Sequence, residues 1–520
     1  MSTIDLDRAR RLGDRHLGAD FDDRLIPVDS GAWNTVRVSA SPEVAASVGG
    51  QHSLWMLVNL LARQFAVIHE LEIAVPDLPL EPGVALFGAT EGLATALAGT
   101  AQLVAGSAMR VRRTKGGAGP CAVEVIVGRS GKKSDADFSV SALGSGWRAF
   151  AGRPEQAPAI IPFGRNALGP YFAACLAAGE VFKHLRGLRE GKGRFIDALF
   201  LSLWDFEERT VWESLVEGEW PSPFALPLFW LIGCGAVGQA LAAALAASGE
   251  VRGYCTAIDG EHNEPENLNR YPLATQGDLD VSKSELTAAF LRRGGLDAHA
   301  YRGRWPDYAS DQSRPPRRED VGKLEACYRY PLVLSCVDKN TARHGIQNFW
   351  PEFVMGGSTP GFALEVSAYD MRSPYECLKC FNWPEPAGPS NSKIVAELRA
   401  LPPEERRALA DARGADLQAL EAYLADPKCG RLEEAEITKF RDEAADWSVG
   451  FISVAAGTVL AAQLLRYGLL GRAAFPHAKG NSLRLSFFNP APRWTKHLRR
   501  SGCDCEGSGR GDYERLWGGA

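Results

Sequence analysis

Residues 227–270 constrain the fold of this chain more than any other segment. A short apolar run leads into a tight turn that contains Gly233, Gly235 and Gly238, and a helix rich in Ala and Leu follows. Glycines let the main chain turn sharply and approach a ligand, while free N–H groups at the helix start attract phosphate. A second apolar run ends in Asp259, whose carboxylate can bond ribose hydroxyls. This segment predicts parallel strands, a connecting helix and a bound nucleotide.

The residues after Asp259 distinguish between kinds of nucleotide. Asn267 and Arg270 belong to the run Glu-Asn-Leu-Asn-Arg, and Lys283 follows further on. A dinucleotide site does not call for clustered amide and cationic groups at this point, whereas a triphosphate does. The next apolar run, residues 332–337, is predicted to be a strand that ends in Asp338. A carboxylate beside phosphates at the carboxyl edge of a doubly wound sheet is typical of a Mg²⁺ site.

Taken in order, these motifs resemble those of the adenylyltransferases that activate ubiquitin and ubiquitin-like proteins. The molybdopterin-synthase and thiazole-biosynthesis adenylyltransferases of bacteria are relatives in that family. Its pattern is a glycine loop, an acid-x-acid strand end, Asn-Leu-x-Arg, a downstream Lys and a second strand ending in Asp. The resemblance runs from Leu228 to about Cys505, with two departures: Glu261 replaces the second Asp, and Tyr271 stands where the family usually has Gln.

The chemistry of carboxylate activation suggests a role for each of these residues. ATP must be attacked at its α-phosphate while pyrophosphate leaves, and the developing charge must be met by cations, N–H donors and a metal. The glycine loop would supply N–H groups, and the other expected ligands are Asp259 for the ribose, Asn267 as a hydrogen-bond donor, Arg270 and Lys283 as cations, and Asp338 for Mg²⁺. Each residue taken alone also fits an ordinary role as a cap, a turn former or a solvated surface charge.

The two halves of the chain, residues 1–222 and 223–520, are similar in design. Ala-Ala-Gly occurs in a small-residue helix of each half, at 177–179 and at 455–457. This indicates an old duplication, although two Ala-rich helices can share a tripeptide by chance. The N-terminal half has a poor phosphate loop at 88–92. The resemblance therefore implies a monomeric pseudo-dimer: an α/β, doubly wound, Rossmann-like adenylation domain follows an inactive, degenerate copy. Arg63 and Arg165 are candidates for a cation that this copy lends.

Four cysteines form two close pairs, Cys377 with Cys380 and Cys503 with Cys505. Four thiolates from two knuckles make a tetrahedral structural zinc site. The family often carries such a zinc, with C-x-x-C in both knuckles, and the C-x-C of the second pair is a departure. A redox pair or unrelated free thiols remain the alternatives.

An insertion predicted at about residues 385–446 contains two helices and one cysteine, Cys429. The relatives place a nucleophilic or redox-active cysteine in this interval, so the resemblance implies that Cys429 forms a thioester. Lys428 and a predicted helix start would lower the pKa of the thiol, whereas Glu433 and Glu434 would oppose this. A surface cysteine at a loop end is the alternative.

Composition narrows the class of protein. The chain has 520 residues, of which 45% are hydrophobic and 23% charged, as expected for two or three globular domains. A net charge of −5 gives no support for nucleic acid as the main partner. No hydrophobic region follows the charged N-terminus, and polar residues and glycine interrupt every long apolar stretch, so we expect neither a signal peptide nor a membrane span. Eleven cysteines are few for this length, and several lie in apolar runs, which favours a cytoplasmic location.

These observations predict an ATP-dependent activating enzyme. It would adenylate the C-terminal carboxylate of a ubiquitin-like protein, take that protein onto Cys429 and pass it to a conjugating enzyme. The resemblance suggests a bacterial conjugation system in antiphage defence. The alternatives are an adenylyltransferase for a sulfur-carrier protein or a peptide without a thioester, an NAD-dependent oxidoreductase, and a catalytically inactive scaffold.

Overall fold

The computed structural model describes residues 34–518 apart from 89–91, 115–120, 132, 311–328, 384–390, 413–414, 416, 426–448 and 477. The chain divides into two compact units. The first comprises residues 1–382 and 447–520, and it contains both large β-sheets. The second comprises residues 383–446, and its described elements are helices.

The first sheet belongs to the N-terminal half and has eight strands in the order β3-β2-β1-β4-β5-β6-β7-β8. The strands are β1 Thr35–Ala40, β2 Glu70–Ala74, β3 Arg110–Arg113, β4 Val123–Val127, β5 Phe138–Ser145, β6 Arg148–Gly152, β7 Ala198–Ser202 and β8 Glu208–Arg209. The first five strands pair in parallel, and β6, β7 and β8 extend the sheet by antiparallel pairing.

The second sheet repeats this arrangement in the C-terminal half, in the order β13-β12-β10-β14-β15-β16-β17-β18. Its strands are β10 Phe229–Ile232, β12 Tyr254–Asp259, β13 Asp297–Arg302, β14 Leu332–Ser335, β15 Phe353–Ser358, β16 Ala363–Asp370, β17 Ser482–Ser486 and β18 Pro492–Thr495, while β9 Phe224–Ala225 and β11 Val251–Arg252 form a separate pair. Five parallel strands are again followed by three antiparallel ones. The matching strand orders agree with the pseudo-dimer layout that the sequence predicts.

Helices join the strands and cover the sheets. They are α1 Pro42–Ala45, α2 Val48–Ala62, α3 Leu93–Ala105, α4 Leu168–Arg186, α5 Ala236–Ser248, α6 Lys283–Arg293, α7 Trp305–Ser310, α8 Asn340–Gln347, α9 Leu378–Phe381, α10 Asn391–Ala400, α11 Pro403–Ala412, α12 Leu417–Ala425, α13 Gly450–Leu470 and α14 Ser508–Trp517. Helix α13 packs against α5 of its own half and against α4 of the other half. One hydrophobic core therefore extends through both halves.

In each of the two Ala-Ala-Gly helices, the glycine permits a neighbouring element to pack closely. A Cβ atom at Gly457 would lie 2.4 Å from Cβ of Ala240 in α5, and one at Gly179 would lie 2.7 Å from the ring of Phe487. The shared tripeptide thus has the same physical role in both helices, because each glycine removes a side chain where another element must approach.

One described segment, Gly450–Ala474, is long and apolar enough to cross a membrane by length and composition, and 83% of its apolar window is buried inside the protein. Its contacts with α4, α5 and the strands β15 and β16 give its side chains protein neighbours. It is the central core helix of the two halves.

The second unit has a small core of its own. Leu398, Leu420 and Leu424 pack with Ala410 between helices α10, α11 and α12. Arg406 donates to the carboxylate of Glu421 at 2.9 Å, which links α11 to α12.

Candidate functional site

The candidate site is built on three neighbouring parallel strands, β12, β10 and β14. The glycine loop leaves β10 between its neighbours: the N–H of Gly233 donates to the carbonyl of Ile258 at 3.0 Å, and the N–H of Cys336 donates to the carbonyl of Ile232 at 2.8 Å. The loop and the carboxyl ends of β12 and β14 therefore meet at one edge of the sheet, where doubly wound folds bind ligands.

The glycine loop requires its glycines. Gly233 has φ of 89°, and a Cβ atom there would lie 2.8 Å from the carbonyl oxygen of Cys336. A Cβ at Gly238 would lie 2.2 Å from the carbonyl oxygen of Gly233. Gly235 is the N-cap of α5 and offers no side-chain cap. The first N–H groups of α5 thus have no acceptor from a capping side chain, which is the arrangement that binds phosphate.

Asp259, the last residue of β12, faces the glycine loop. Its Oδ2 accepts from the N–H of Cys234 at 2.7 Å, and its Oδ1 accepts from the N–H of Glu261 at 2.9 Å. Burial raises the pKa of the carboxyl, and these two N–H groups and Lys283 oppose that rise. A carboxylate has acceptor sites beyond two hydrogen bonds, so Asp259 can hold the loop and still accept from a ribose hydroxyl.

Asn267 shapes the turn that precedes the predicted cations. Its Oδ1 accepts from the N–H of Glu264 at 3.0 Å, which caps the 3₁₀ turn Pro265–Asn267. Arg270 follows this turn, and its Nη1 donates to the carbonyl of Glu266 and to Oδ1 of Asn269 at 2.9 Å. Asn267 is buried, so its observed contacts are those of a residue that fixes the loop.

The ring of Tyr271 contacts two predicted cations of the site, Arg270 and Lys283. The guanidinium carbon of Arg270 lies 5.3 Å from the ring centroid, and the ammonium of Lys283 lies 5.2 Å from it. A Cβ atom at Gly235 would lie 3.3 Å from the phenol oxygen, so the ring also reaches the glycine loop. The residue that departs from the family's usual Gln therefore joins the loop to both predicted cations.

Glu261 forms an ion pair with Lys283, whose Nζ lies 2.5 Å from Oε2. The hydrogen bond from Lys283 lowers the pKa of the Glu261 carboxyl, and Lys339 lowers it further. Lys339 follows Asp338 in the loop after β14. The loops after β12 and β14 thus face each other across the glycine loop.

Asp338 lies in an exposed loop three residues beyond β14. The predicted strand, residues 332–337, is two residues too long, because β14 ends at Ser335. Arg343 in α8 does not pair with Asp338 among its described contacts: its Nη1 donates to Oδ1 of Asn340 at 2.7 Å and to Oδ1 of Asn382 at 2.9 Å. Asp338 is left as an accessible carboxylate near the glycine loop, as a Mg²⁺ ligand must be.

The two cations predicted from the N-terminal half have different environments. Arg165 is exposed and lines a cleft of about 730 Å³ together with Phe163, Trp212 and other residues of the same half. Arg63 is only 2% exposed, and its guanidinium donates to main-chain carbonyls of the loop that carries Arg270. Of the two, Arg63 reaches the candidate site, but its described hydrogen bonds there go to main-chain carbonyls of the loop.

The four predicted zinc ligands cluster in the structure. The Sγ atoms of Cys377, Cys380, Cys503 and Cys505 all lie within 4.8 Å of one another, and all four residues are buried. Two of the distances between sulfur atoms are 3.7 and 3.9 Å. A regular tetrahedron with metal–sulfur bonds of about 2.3 Å has edges of about 3.8 Å. The donor set and its spacing fit a Zn²⁺ ion.

Two predictions fall partly or wholly outside the described residues: Cys429 lies in 426–448, and the poor N-terminal phosphate loop at 88–92 includes residues 89–91. Sequence reasoning also missed two features of the site. The sequence pattern identifies Tyr271 only as a departure from the family's Gln and Arg63 only as a candidate cation, and it does not predict the contacts of either residue. Asn269 has a buried Nδ2 without a hydrogen-bond partner in the described structure, and its place inside Asn-Leu-x-Arg was the available signal.

Comparison with known proteins agrees with this geometry. Residues 229–505 match the ThiF family model, and residues 35–203 match the model of the BilD N-terminal domain. Relatives include the uncharacterized protein y4jF of Sinorhizobium fredii, 24% identical over 92% of this chain and 88% of its own length. The bacterial E1-like protein BilD of Collimonas is 25% identical over 85% of this chain and 84% of its own length.

Among solved structures, E. coli MccB in complex with MccA-N7isoASN is similar over 54% of this chain and 67% of its own, with 12% identity and a TM-score of 0.34. The ThiF match covers more than half of the chain and includes the glycine loop, Asp259, Asp338, Arg270, Lys283 and the cysteine cluster. This chain belongs to the ThiF family of E1-like adenylyltransferases.

Proposed function

We propose that this chain activates a ubiquitin-like protein by adenylating its C-terminal carboxylate with ATP. The observation that carries the proposal is the convergence of Arg270 and Lys283 on the Tyr271 ring beside Gly235. Two cations beside a phosphate-binding loop suit a reaction that develops charge on a triphosphate.

In the proposed reaction, a carboxylate oxygen of the carrier attacks the α-phosphorus of ATP. The bond from that phosphorus to the oxygen bridging toward the β-phosphate breaks, and pyrophosphate leaves with the electron pair. Arg270 and Lys283 would stabilise the growing negative charge, the glycine loop would donate N–H groups, and Asp259 would hold the ribose. Mg²⁺ held by Asp338 would neutralise phosphate charge when bound. The product is a carrier acyl-adenylate.

We further propose a second step on Cys429. Its thiolate would attack the acyl carbon of the adenylate, AMP would leave, and a thioester between the carrier and Cys429 would form. A conjugating enzyme would then accept the carrier. Support comes from the position of Cys429 in the interval between the Cys377 pair and α13, where the resemblance places the nucleophile, and from the bacterial E1-like name of one relative.

In this proposal, residues 223–520 bind and react the nucleotide, and residues 1–222 have a non-catalytic, supporting role. The insertion at about 385–446 carries Cys429. Residues 377–380 and 503–505 form a structural zinc knuckle. Bacterial relatives and the family resemblance extend the proposal to conjugation in antiphage defence. Plaque assays on cells that express the wild-type chain or a Cys429→Ala variant would test that last part.

Two assays separate the steps. ATP–pyrophosphate exchange with a candidate carrier reports adenylation, and a nonreducing gel reports a thioester that thiol reagent removes. Cys429→Ala should retain exchange and lose the adduct, whereas Cys121→Ala, a buried cysteine of the other half, should retain both. An adduct that persists in Cys429→Ala would assign the nucleophile to another cysteine. Exchange without any adduct in the wild type would favour the alternative, adenylation of a sulfur-carrier protein or a peptide.

A further inference from the structure

We propose that Arg63 is a positioning residue for nucleotide binding: it fixes the main chain of the loop 268–274, which carries Arg270, and thereby couples the N-terminal half to the site. The proposal rests on the ATP site proposed above. It replaces the idea that this half lends a cation directly to phosphate.

The contacts of Arg63 define the coupling. The residue follows α2, and its Nη1 donates to the carbonyl of Leu268 at 2.7 Å. Its Nη2 donates to the carbonyls of Pro272 and Ala274, each at 3.0 Å. Its Nε donates to Oδ1 of Asn59 at 3.0 Å. Four hydrogen bonds therefore occupy most of the five N–H donors of the guanidinium, and three of the four go to one loop.

These carbonyls bracket Arg270. Leu268 precedes it by two residues, and Pro272 and Ala274 follow it by two and four. Leu268 and Ala274 are fully buried, so their carbonyls need partners inside the protein. Asn59 adds a second contact, because its Nδ2 donates to the carbonyl of Pro272 at 3.0 Å. The N-terminal half thus donates hydrogen bonds to the main chain on both sides of Arg270.

Arg63 is a charged side chain in a buried position, where an apolar side chain would be expected if its only role were packing. In the described structure it forms no ion pair, and its burial lowers the pKa of the guanidinium to about 9, against the longer-range influence of Asp278. A buried cation without a contacting carboxylate is costly unless its donors are satisfied. Three main-chain carbonyls of the loop accept hydrogen bonds from the guanidinium and so satisfy its donors. An apolar replacement would leave these carbonyls without this donor.

The test compares Arg63→Met and Arg63→Lys with Arg466→Met in the full chain. Arg466 is a matched control: it is also buried, burial lowers its pKa to about 10, and it lies between the halves over the rings of Trp204 and Phe206. Its described contacts do not include the loop 268–274. The readouts are Mg·ATP binding by calorimetry and hydrogen exchange of the loop amides.

Arg63→Met should weaken Mg·ATP binding by about tenfold or more, because the loss of charged hydrogen bonds releases the loop. It should also speed hydrogen exchange in residues 268–274, and Arg63→Lys should restore part of both. Arg466→Met should leave binding within about twofold of the wild type. If Arg63→Met does not fold, Asn59→Ala removes one contact to the same loop and should show the same changes to a smaller degree.

Three results would overturn the proposal. Weakened binding with unchanged exchange of the loop amides would assign Arg63 to the nucleotide itself. Equal weakening in Arg466→Met would reduce the effect to general packing. Wild-type binding and wild-type loop exchange in Arg63→Met would remove the role altogether. A wild-type chain that does not bind Mg·ATP would instead refute the proposed function.

Discussion

Lys283 and Glu261 form an ion pair in which one partner is buried and the other is exposed. The two charged atoms lie 2.5 Å apart, while the side chain of Lys283 is 6% exposed and that of Glu261 is 75% exposed. The exposed acid can move away at little cost, and the buried ammonium cannot. This asymmetry suits a cation that exchanges a protein carboxylate for a phosphate.

The first prediction separates the roles of the two partners. Lys283→Met should reduce ATP–pyrophosphate exchange by about 100-fold or more, because a cation beside the developing charge is lost. Glu261→Gln keeps an amide oxygen that can accept from the buried ammonium but removes the opposite charge, so it should lower the free energy of unfolding by about 1–3 kcal/mol. It should also leave exchange within a few-fold of the wild type. Exchange that fails equally in both variants would show that the pair acts as a unit.

The second prediction concerns pH. Burial alone lowers the pKa of Lys283, but Tyr271 and Glu261 outweigh it and the net shift is upward. The pKa of Glu261 is lowered by the hydrogen bond from Lys283. The pair's stabilisation is therefore present above the unfolded glutamate pKa of about 4.3 and is lost as pH falls through the lowered value. At alkaline pH it is lost only as pH rises through the raised lysine value.

Lys283 should consequently remain charged from about pH 6 to 9. The contribution of this pair to Mg·ATP binding should be flat across that range, and the difference in binding free energy between the wild type and Lys283→Met should not vary with pH. Calorimetric titrations at several pH values would measure this difference. A difference that declines toward pH 9 would mean that the ammonium loses its proton there, contrary to the observed environment.

The third prediction uses the ring of Tyr271. Tyr271→Phe keeps the aromatic face under Arg270 and Lys283, so Mg·ATP binding should stay within about threefold. Tyr271→Leu removes the face and should weaken binding by about five- to thirtyfold, in line with a cation–π contribution of roughly 0.5–1 kcal/mol for each of the two cations. Equal affinities for the two variants would show that the ring does not organise the cations.

Much of this site could be predicted from the sequence, because its signals are local. The glycine loop, Asp259 and the Cys377 pair each depend on a short run of residues whose spacing determines their geometry. The contacts of Tyr271 and Arg63 could not be predicted in this way. Tyr271 acts through residues brought to its ring by two different elements, and the loop that Arg63 contacts lies more than 200 residues away along the chain.

The fold shows the same division between local and long-range information. The paired Ala-Ala-Gly helices indicated a duplication, and the repeated strand order of the two sheets agrees with it. The sequence places the end of β14 two residues too late, because Cys336 and Val337 continue the apolar pattern beyond the last paired residue, Ser335. Both side chains are partly buried against the core, and such packing does not require strand pairing.

The fourth prediction concerns Asp338. Asp338→Asn should leave the free energy of unfolding within about 0.5 kcal/mol of the wild type, because the side chain is exposed. It should reduce Mg²⁺-dependent ATP–pyrophosphate exchange by about 100-fold or more, because the metal ligand is lost beside the phosphates. Asp307→Asn, at an exposed acid on α7, is the control and should behave as the wild type. Wild-type exchange in Asp338→Asn would refute the magnesium assignment.

The last prediction is structural and concerns the four clustered thiols. Zn²⁺ bound by them would tie the segment before the insertion to the segment that leads into α14, because Cys377 and Cys380 belong to the first segment and Cys503 and Cys505 to the second. Trp350 and Trp517 pack in the same small core, and Nε1 of Trp517 donates to the carbonyl of Trp350 at 2.8 Å. Removal of the metal should therefore expose these tryptophans.

Elemental analysis of the purified chain should find one tightly bound zinc, and Cys380→Ser should lose it. Because structural zinc contributes directly to folding, the variant should melt at a lower temperature and show red-shifted tryptophan fluorescence. Cys175→Ser provides the control, since this cysteine is buried in α4 and belongs to no cluster of metal ligands in the described structure. The Cys175→Ser variant should keep its zinc even if the substitution disturbs the packing of α4. A metal-free chain of unchanged stability would leave the cluster as four reduced thiols, and the link between the two segments would then depend on the surrounding aromatic core alone.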